Sequence, residues 1–531
     1  MSASSATAGA GGTAGQGAGG AAPPVPPPVA HDPDSPRIVS RNRPLLLVGA
    51  MAAMTMYTLD STIANVALPH MSAALGATQD TVTWVLTSYV LASAVALPVA
   101  GFLVDTLGLR RMMLMAVALF TVASMACGAA QNIEQMVAFR IIQGFAGAFL
   151  SPLAQTVTLD SCTEAERPKM MAIYSQGIML GPIAGPIVGG WLTDNLDWRW
   201  VFYVNLPVGV LCFLLLAIFL PSMPTERRRV DLVGWGLVVL TVSALQLILD
   251  RGQTVDWFAS AEIVIYAVLA AGGGWLAFFH LSGAPNPLFP LALFRDRNFT
   301  IAMALMFLMG LVMMSVMAML PGLLQQVYGY TALQSGLLVM PRGIGMLVTV
   351  TALAPIITRV DTRILLLAGL LLMGASTWMM TGWSIDMPRL PIVAAGLVQG
   401  FGLAFTFIPM NLIAFATLAP RFRTDAASMI TLMRNLGSSI GIAISSVALS
   451  RSIQVNHAEL GAHVTPAAVP FNLDRITAFG PAGEAALRMV DGMVNLQAVM
   501  ISYINVFYAM GLACFIATPM LLLVRTAARR A

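Results

Sequence analysis

At 531 residues, with 58% hydrophobic and 10% charged side chains and a formal net charge of +4, the chain has a mean hydropathy of +0.80. That lies outside soluble globular composition and within that of helical membrane proteins, and no nucleic-acid surface is expected. No HExxH, GxSxG or phosphate-loop pattern occurs, the five histidines are dispersed, and Cys127, Cys162, Cys212 and Cys514 show no CxxC spacing. Hydrolase, ATP-driven and metal chemistry are therefore set aside, and no cofactor is expected.

Residues 1–43 read as a disordered tail, since MSASSATAGAGGTAGQGAGGAAPPVPPPVA is Gly, Ala and Pro with almost no bulky side chains. It lacks the basic flank and short apolar core of a secretory leader, which places it in the cytoplasm. Beyond it, a membrane-crossing helix needs about 20 apolar residues. Apolar runs between breaks place spans near 45–69, 82–103, 112–130, 135–158, 169–193, 200–220, 231–250, 262–281, 298–320, 335–357, 364–383, 391–414, 426–450 and 499–524. Nineteen of the 28 Lys and Arg fall in the tails and in alternate loops, six on the opposite side and three within spans. This bias predicts fourteen spans with both termini in the cytoplasm. One periplasmic stretch, 451–498, is long. Its segment AALRMVDGMVNLQ has apolar residues at helical spacing and reads as a partly ordered loop, an interfacial helix or a docking surface.

An ionisable group at membrane depth costs at least about 2.5 to 3.5 kcal/mol and needs a partner or a wet cavity. Asp60, in span 1 within TLDSTIANVALP, is the only acid at that depth. Desolvation favours a neutral carboxyl and a nearby cation favours a charged one, so a carboxylate in alternating surroundings can bind and release a proton. The competing reading is a helix-packing Asp bonded to Ser61 or Thr62. Arg140, in span 4 within FRIIQGFAGAFLSP, is placed to compensate an acid, and Gly144, Ala146, Gly147 and Ala148 allow close helix approach. Arg342 (MPRGIG, span 10) and Arg434 with Asn435 (LMRNLGSSIGIA, span 13) have no acid at matching depth; these arginines either line a cavity or snorkel to an interface. Span 5 reads GIMLGPIAGPIVGGWL. Its Gly177, Gly181, Pro182, Gly185, Pro186, Gly189 and Gly190 suit a helix that bends and packs its backbone against a neighbour.

These segments resemble the major facilitator superfamily, and within it the fourteen-span drug:proton antiporter group of the EmrB/QacA type. GFLVDTLGLRRMML, with Gly101, Asp105, Gly108, Arg110 and Arg111, is similar to the loop that this family uses as an interhelical charge-relay latch. LDSTIANVALP, FRIIQGFAGA and GPIAGPIVGG resemble the group's motifs on spans 1, 4 and 5. DWRWVFYVNLPVG (197–209) and LFRDRNF (293–299) match as well, and ITRVDTRIL (357–365) is a shortened counterpart of the latch without its glycines and leading carboxylate.

The resemblance implies an all-α membrane protein of the major facilitator fold. An N-terminal six-helix bundle would occupy 44–221, two inserted transmembrane helices 231–281, and a C-terminal six-helix bundle 298–525, with alternating access at a midplane cavity. It implies proton coupling at Asp60 and Arg140, antiport from the span 5 motif, and a place in the bacterial inner membrane. A periplasmic membrane-fusion protein and an outer-membrane channel are the implied partners in a Gram-negative host. With no acid placed in the second-half cavity, the expected cargo is a small hydrophobic compound, neutral or weakly acidic, exported as in multidrug efflux. The rival readings are a carrier of one lipid-like metabolite on the same fold and a non-transporting sensor or enzyme.

Overall fold

The computed structural model describes residues 36–524, apart from 224–230, 465–480 and the positions 253–254, 256, 285–286, 290–291, 354–355, 358 and 420–421. Most of the expected N-terminal tail lies outside the described residues. So do Arg227, Arg228 and Arg229 and the arginines beyond 524.

Among the described residues, fourteen long helices carry the fold. They are α1 (Arg43–Ala74), α2 (Trp84–Leu107), α3 (Leu109–Gly128) and α4 (Ile133–Asp160), α5 (Arg167–Asn195), α6 (Trp200–Phe219), α7 (Leu232–Arg251) and α8 (Ala261–Gly283). The remainder are α9 (Arg297–Gln326), α10 (Ala332–Leu353), α11 (Thr362–Thr381), α12 (Leu390–Ala416), α13 (Arg423–His463) and α14 (Pro481–Ala517). In lipid every backbone group must be satisfied within the segment, so apolar runs of this length fold as helices. The polar residues at their starts act as caps: Asn42, Asn132, Asp231, Asp296 and Asp361 each accept from a backbone N–H of the first turn. Among the described residues thirteen helices are long and apolar enough to cross a membrane, and α5, 29 residues long, packs along α1 as the fourteenth. The expected fourteen-span architecture is borne out.

Helices α1–α6 and α9–α14 form two bundles with the same packing pattern. In the first, α1 packs on α5 and α4 on α2 and α3; in the second, α9 packs on α13 and α12 on α10 and α11. The bundles meet along α2 and α13 on one side and α5 and α10 on the other. Helix α7 lies against α2 and α13, with Trp235 Nε1 donating to the Val95 carbonyl at 3.2 Å. Helix α8 packs on α7, and its aromatic residues Trp275, Phe278 and Phe279 are exposed, as on a lipid-facing surface.

The stretch 451–498 departs from the loop reading. Helix α13 runs for 41 residues and α14 for 37, about 61 and 55 Å at 1.5 Å per residue, against about 30 Å of hydrocarbon. The two continue past the membrane as a helical hairpin. Asn456 donates to Ser502 at 2.9 Å and His457 bonds Asp491 at 3.2 Å across it. Arg451, Asn456, His457 and Glu459 end the apolar run in sequence, but a helix outside lipid needs no apolar window. Residues 465–480 of this stretch lie outside the described residues.

Candidate functional site

Asp60 sits in α1 with no exposed surface. Arg140 of α4, equally buried, donates from Nη1 to its Oδ2 at 2.7 Å. Gln143, one turn further along α4, donates to Oδ1 at 2.8 Å, and Asn205 of α6 donates to the same oxygen at 2.9 Å. The cluster is held from behind. Arg140 Nη1 also donates to Gln143 Oε1 at 2.9 Å, its Nε to the Val85 carbonyl of α2 at 3.0 Å, and its guanidinium lies 4.1 Å from the Tyr89 ring centroid. Asn205 donates as well to Ser124 Oγ of α3 at 2.9 Å, and Ser124 donates to the Phe202 carbonyl at 2.9 Å. Five helices thus converge on one carboxylate. Ser61 and Thr62 instead bond backbone carbonyls, which sets aside a purely local partner for Asp60.

Three donors are therefore committed to the two oxygens of this carboxylate. Protonation removes the charge that Arg140 neutralises and weakens the bonds that tie α1 to α4 and α6. Gln143, Asn205 and Ser124 are absent from the sequence-level candidates. Asn205 lies within the 197–209 segment and Gln143 within the span 4 motif, yet neutral amides carry no insertion cost that would single them out.

The glycine face of α5 lies on the other side of α1. Gly177 packs against Met54 and Thr55, Gly181 against the backbone of Thr58, Gly185 against Thr62 and Gly189 against Ile63. Thr62 Oγ1 donates to the Gly181 carbonyl at 3.1 Å. A Cβ at Gly181 would run into the α1 backbone, so glycine is required there by close approach. Gly190 points away, with nothing within 4 Å, and the Pro186 side chain is exposed.

At the arginine-rich end, Gly108 joins α2 to α3 at φ 85° and ψ 144°, a backbone region that essentially only glycine adopts. Arg110 donates to the Ala217 carbonyl near the end of α6 at 2.6 Å and to Ser222 at 3.3 Å, so its contacts stay within the first half. Arg363 of the shortened counterpart does the same in the second bundle, donating to the Val524 carbonyl after α14. Asp105 is partly buried and Arg111 exposed. The contact between halves comes from Gly101, where α2 has no Cβ and the Asp425 carboxylate of α13 fits against it. Beside it, Arg423 of α13 pairs with Asp160 at the end of α4. Thr156 meets Thr424 at 3.2 Å, and Gln155 donates to Asn411 of α12 at 2.8 Å. These polar pairs clasp the two bundles at the arginine-rich end.

In the second bundle, Arg434 and Asn435 are partly buried and lie against Tyr57 of α1, with Asn435 in hydrogen-bond contact with it; Arg434 also lies within electrostatic range of Tyr174 of α5. Arg342 is buried in mid-α10, and neither Nη has a hydrogen-bond partner among the described residues. It does not snorkel to an interface.

The sequence profile described as Major Facilitator Superfamily matches residues 50–442. The multidrug export protein EmrB of Escherichia coli strain K12 is 34% identical over 463 residues, covering 85% of this chain and 87% of that protein. The fatty acid resistance protein FarB of Neisseria gonorrhoeae is 32% identical over 483 residues, covering 89% of this chain and 94% of that protein. Among solved structures, the proton:xylose symporter XylE superposes with a TM-score of 0.59 at 12% identity over 90% of this chain and 95% of that one, a likeness of fold.

Proposed function

The chain belongs to the major facilitator superfamily, and from that membership we propose that it is a proton-coupled antiporter that exports hydrophobic compounds. The observation that carries the reading is the cluster of Asp60, Arg140, Gln143 and Asn205, a carboxylate at membrane depth held by one cation and two amides. Removing one partner of a buried pair costs about 3–5 kcal/mol, comparable to the ~5.5 kcal/mol that inverts a hundredfold-biased equilibrium. Loss of the charge at Asp60 would act directly on the bonds that tie α1 to α4 and α6.

The same helix reaches the cargo. Tyr57, one turn before Asp60, meets Arg434 and Asn435 of the second bundle, and Thr58 and Thr62 rest on the α5 glycines. Substrate and proton act on neighbouring faces of α1 and favour different states of it, which is the requirement for exchange.

The arginine bias supports a place in the bacterial inner membrane with both termini in the cytoplasm. On that orientation the clasp of Asp160 with Arg423 closes the cytoplasmic end. Neutral or weakly acidic lipophiles are the preferred cargo, supported by the lack of a mid-span acid in the second bundle and by the names of the relatives EmrB and FarB. A periplasmic membrane-fusion protein and an outer-membrane channel remain the proposed partners on the strength of the sequence resemblance, with the α13–α14 hairpin as the surface that they would meet.

The test is transport of a fluorescent lipophile into proteoliposomes under an imposed pH gradient. Wild type should accumulate it against its concentration gradient, and Asp60→Asn should only equilibrate it. Gradient-driven accumulation by Asp60→Asn would contradict the reading.

A further inference from the structure

The two bundles can be compared position by position. Gly144 of α4 meets the backbone of Tyr89 on α2, and Gly400 of α12 meets the backbone of Arg342 on α10. Each glycine lies in the triplet Gln-Gly-Phe, at 143–145 and at 399–401. On the other side, Gly181 and Gly185 of α5 rest on Thr58 and Thr62 of α1, as Gly437 and Gly441 of α13 rest on Phe307 and Leu311 of α9. In this register Gln399 is the counterpart of Gln143, Arg342 of Tyr89, Gly396 of Arg140 and Met309 of Asp60.

The second bundle therefore keeps the amide, moves the cation from the α4-type helix to the α2-type helix, and has methionine in place of the acid. The consequence is local. Arg342 is 5% exposed and Gln399 1% exposed, and both Nη atoms of the arginine and both amide atoms of the glutamine lack a hydrogen-bond partner among the described residues. In the first bundle the equivalent amide is satisfied by Asp60. Arg342 lies opposite the exposed stripe of Leu337, Ile344 and Val348, so it faces the protein rather than lipid. The described acids of the second bundle, Asp361, Asp386, Asp425, Glu459, Glu484 and Asp491, all stand at helix ends, in loops or on the outer hairpin. A guanidinium and an amide buried at membrane depth with no hydrogen-bond partner among the described residues are donors that an anionic group would satisfy.

We propose that Arg342 and Gln399 form a carboxylate subsite, in which the acid that the second bundle lacks is supplied by the cargo, a lipophile that ends in a carboxylate. Its oxygens take the place of the Asp60 carboxylate, accepting from Arg342 and from the Gln399 amide. The assignment deepens the export reading by naming a substrate class. It is tested by binding, which needs no proton coupling: carboxylate selectivity without gradient-driven transport would remove only the antiporter reading.

Full-length protein in phosphatidylcholine nanodiscs is titrated with dodecanoate and with its methyl ester. Wild type should bind the acid about tenfold more tightly or better, the scale of a hydrogen bond to a charged group. Arg342→Met should bring the two affinities together while ester binding persists, which also reports that the variant is folded. Arg342→Lys should retain part of the preference, and Gln399→Leu should weaken it. Met309→Asp returns an acid to the bundle and should abolish the preference from within. Equal binding of acid and ester by wild type, or an undiminished preference in Arg342→Met, would overturn the proposal. So would loss of the preference in phosphatidylglycerol nanodiscs, which would assign the site to an anionic lipid headgroup.

Discussion

At Asp60 three donors converge on two carboxylate oxygens, and each is held by a further contact: Arg140 by Val85 and Tyr89, Gln143 by Arg140, Asn205 by Ser124. Groups wired in this way do not contribute independently. Asp60→Asn and Arg140→Met should each lower unfolding stability in detergent by about 3–5 kcal/mol, and the double variant should lose clearly less than the sum of the two. Strict additivity in that cycle would mean that the pair is not coupled. Asp60 and Arg140 can be read from sequence because a charge inside an apolar run has no cheap explanation. Gln143, Asn205 and Ser124 cannot, because they become a site only when α3, α4 and α6 are brought around α1. Arg342 stands between these cases: its depth is visible in sequence, but its lack of a partner depends on what α9 and α12 leave out.

At the scale of the helix, the α5 repeat of glycines at 177, 181, 185 and 189 decides how closely α1 can approach. Helix association in lipid depends on such close packing, since lipid tails compete for every apolar contact. Gly181→Val should push α1 away, lower stability by about 1–3 kcal/mol and abolish transport. Gly190→Ala, which meets no atom within 4 Å, should change neither. The spacing in sequence marks a packing face, but only the fold shows that its partner is the helix that carries Asp60. Helix ends are read less well. Arg451 looks like the end of span 13 because hydropathy measures lipid exposure, whereas α13 continues as a polar helix to His463.

Across the whole molecule, two bundles with the same internal packing are clasped at one end by Asp160 with Arg423, Thr156 with Thr424, and Gln155 with Asn411. Asp160→Asn should loosen that end, seen as a broader and longer distance distribution between spin labels placed on α4 and α13 at the arginine-rich face. An unchanged distribution would show that the clasp is not what holds it closed. The fourteen spans follow from hydropathy and the arginine bias, and the two bundles from the resemblance that the motifs on spans 1, 4 and 5 carry. Which end is closed does not, since one sequence must support both closures in turn.

The central claim is that Asp60 carries the exchanged proton, and its most direct test is proton release from purified protein in weakly buffered detergent when a lipophilic substrate is added. Wild type should release protons with a saturable dependence on substrate, and Asp60→Asn should bind the substrate with no release. Equal release by Asp60→Asn and wild type would place the exchanged proton on another group and contradict the account.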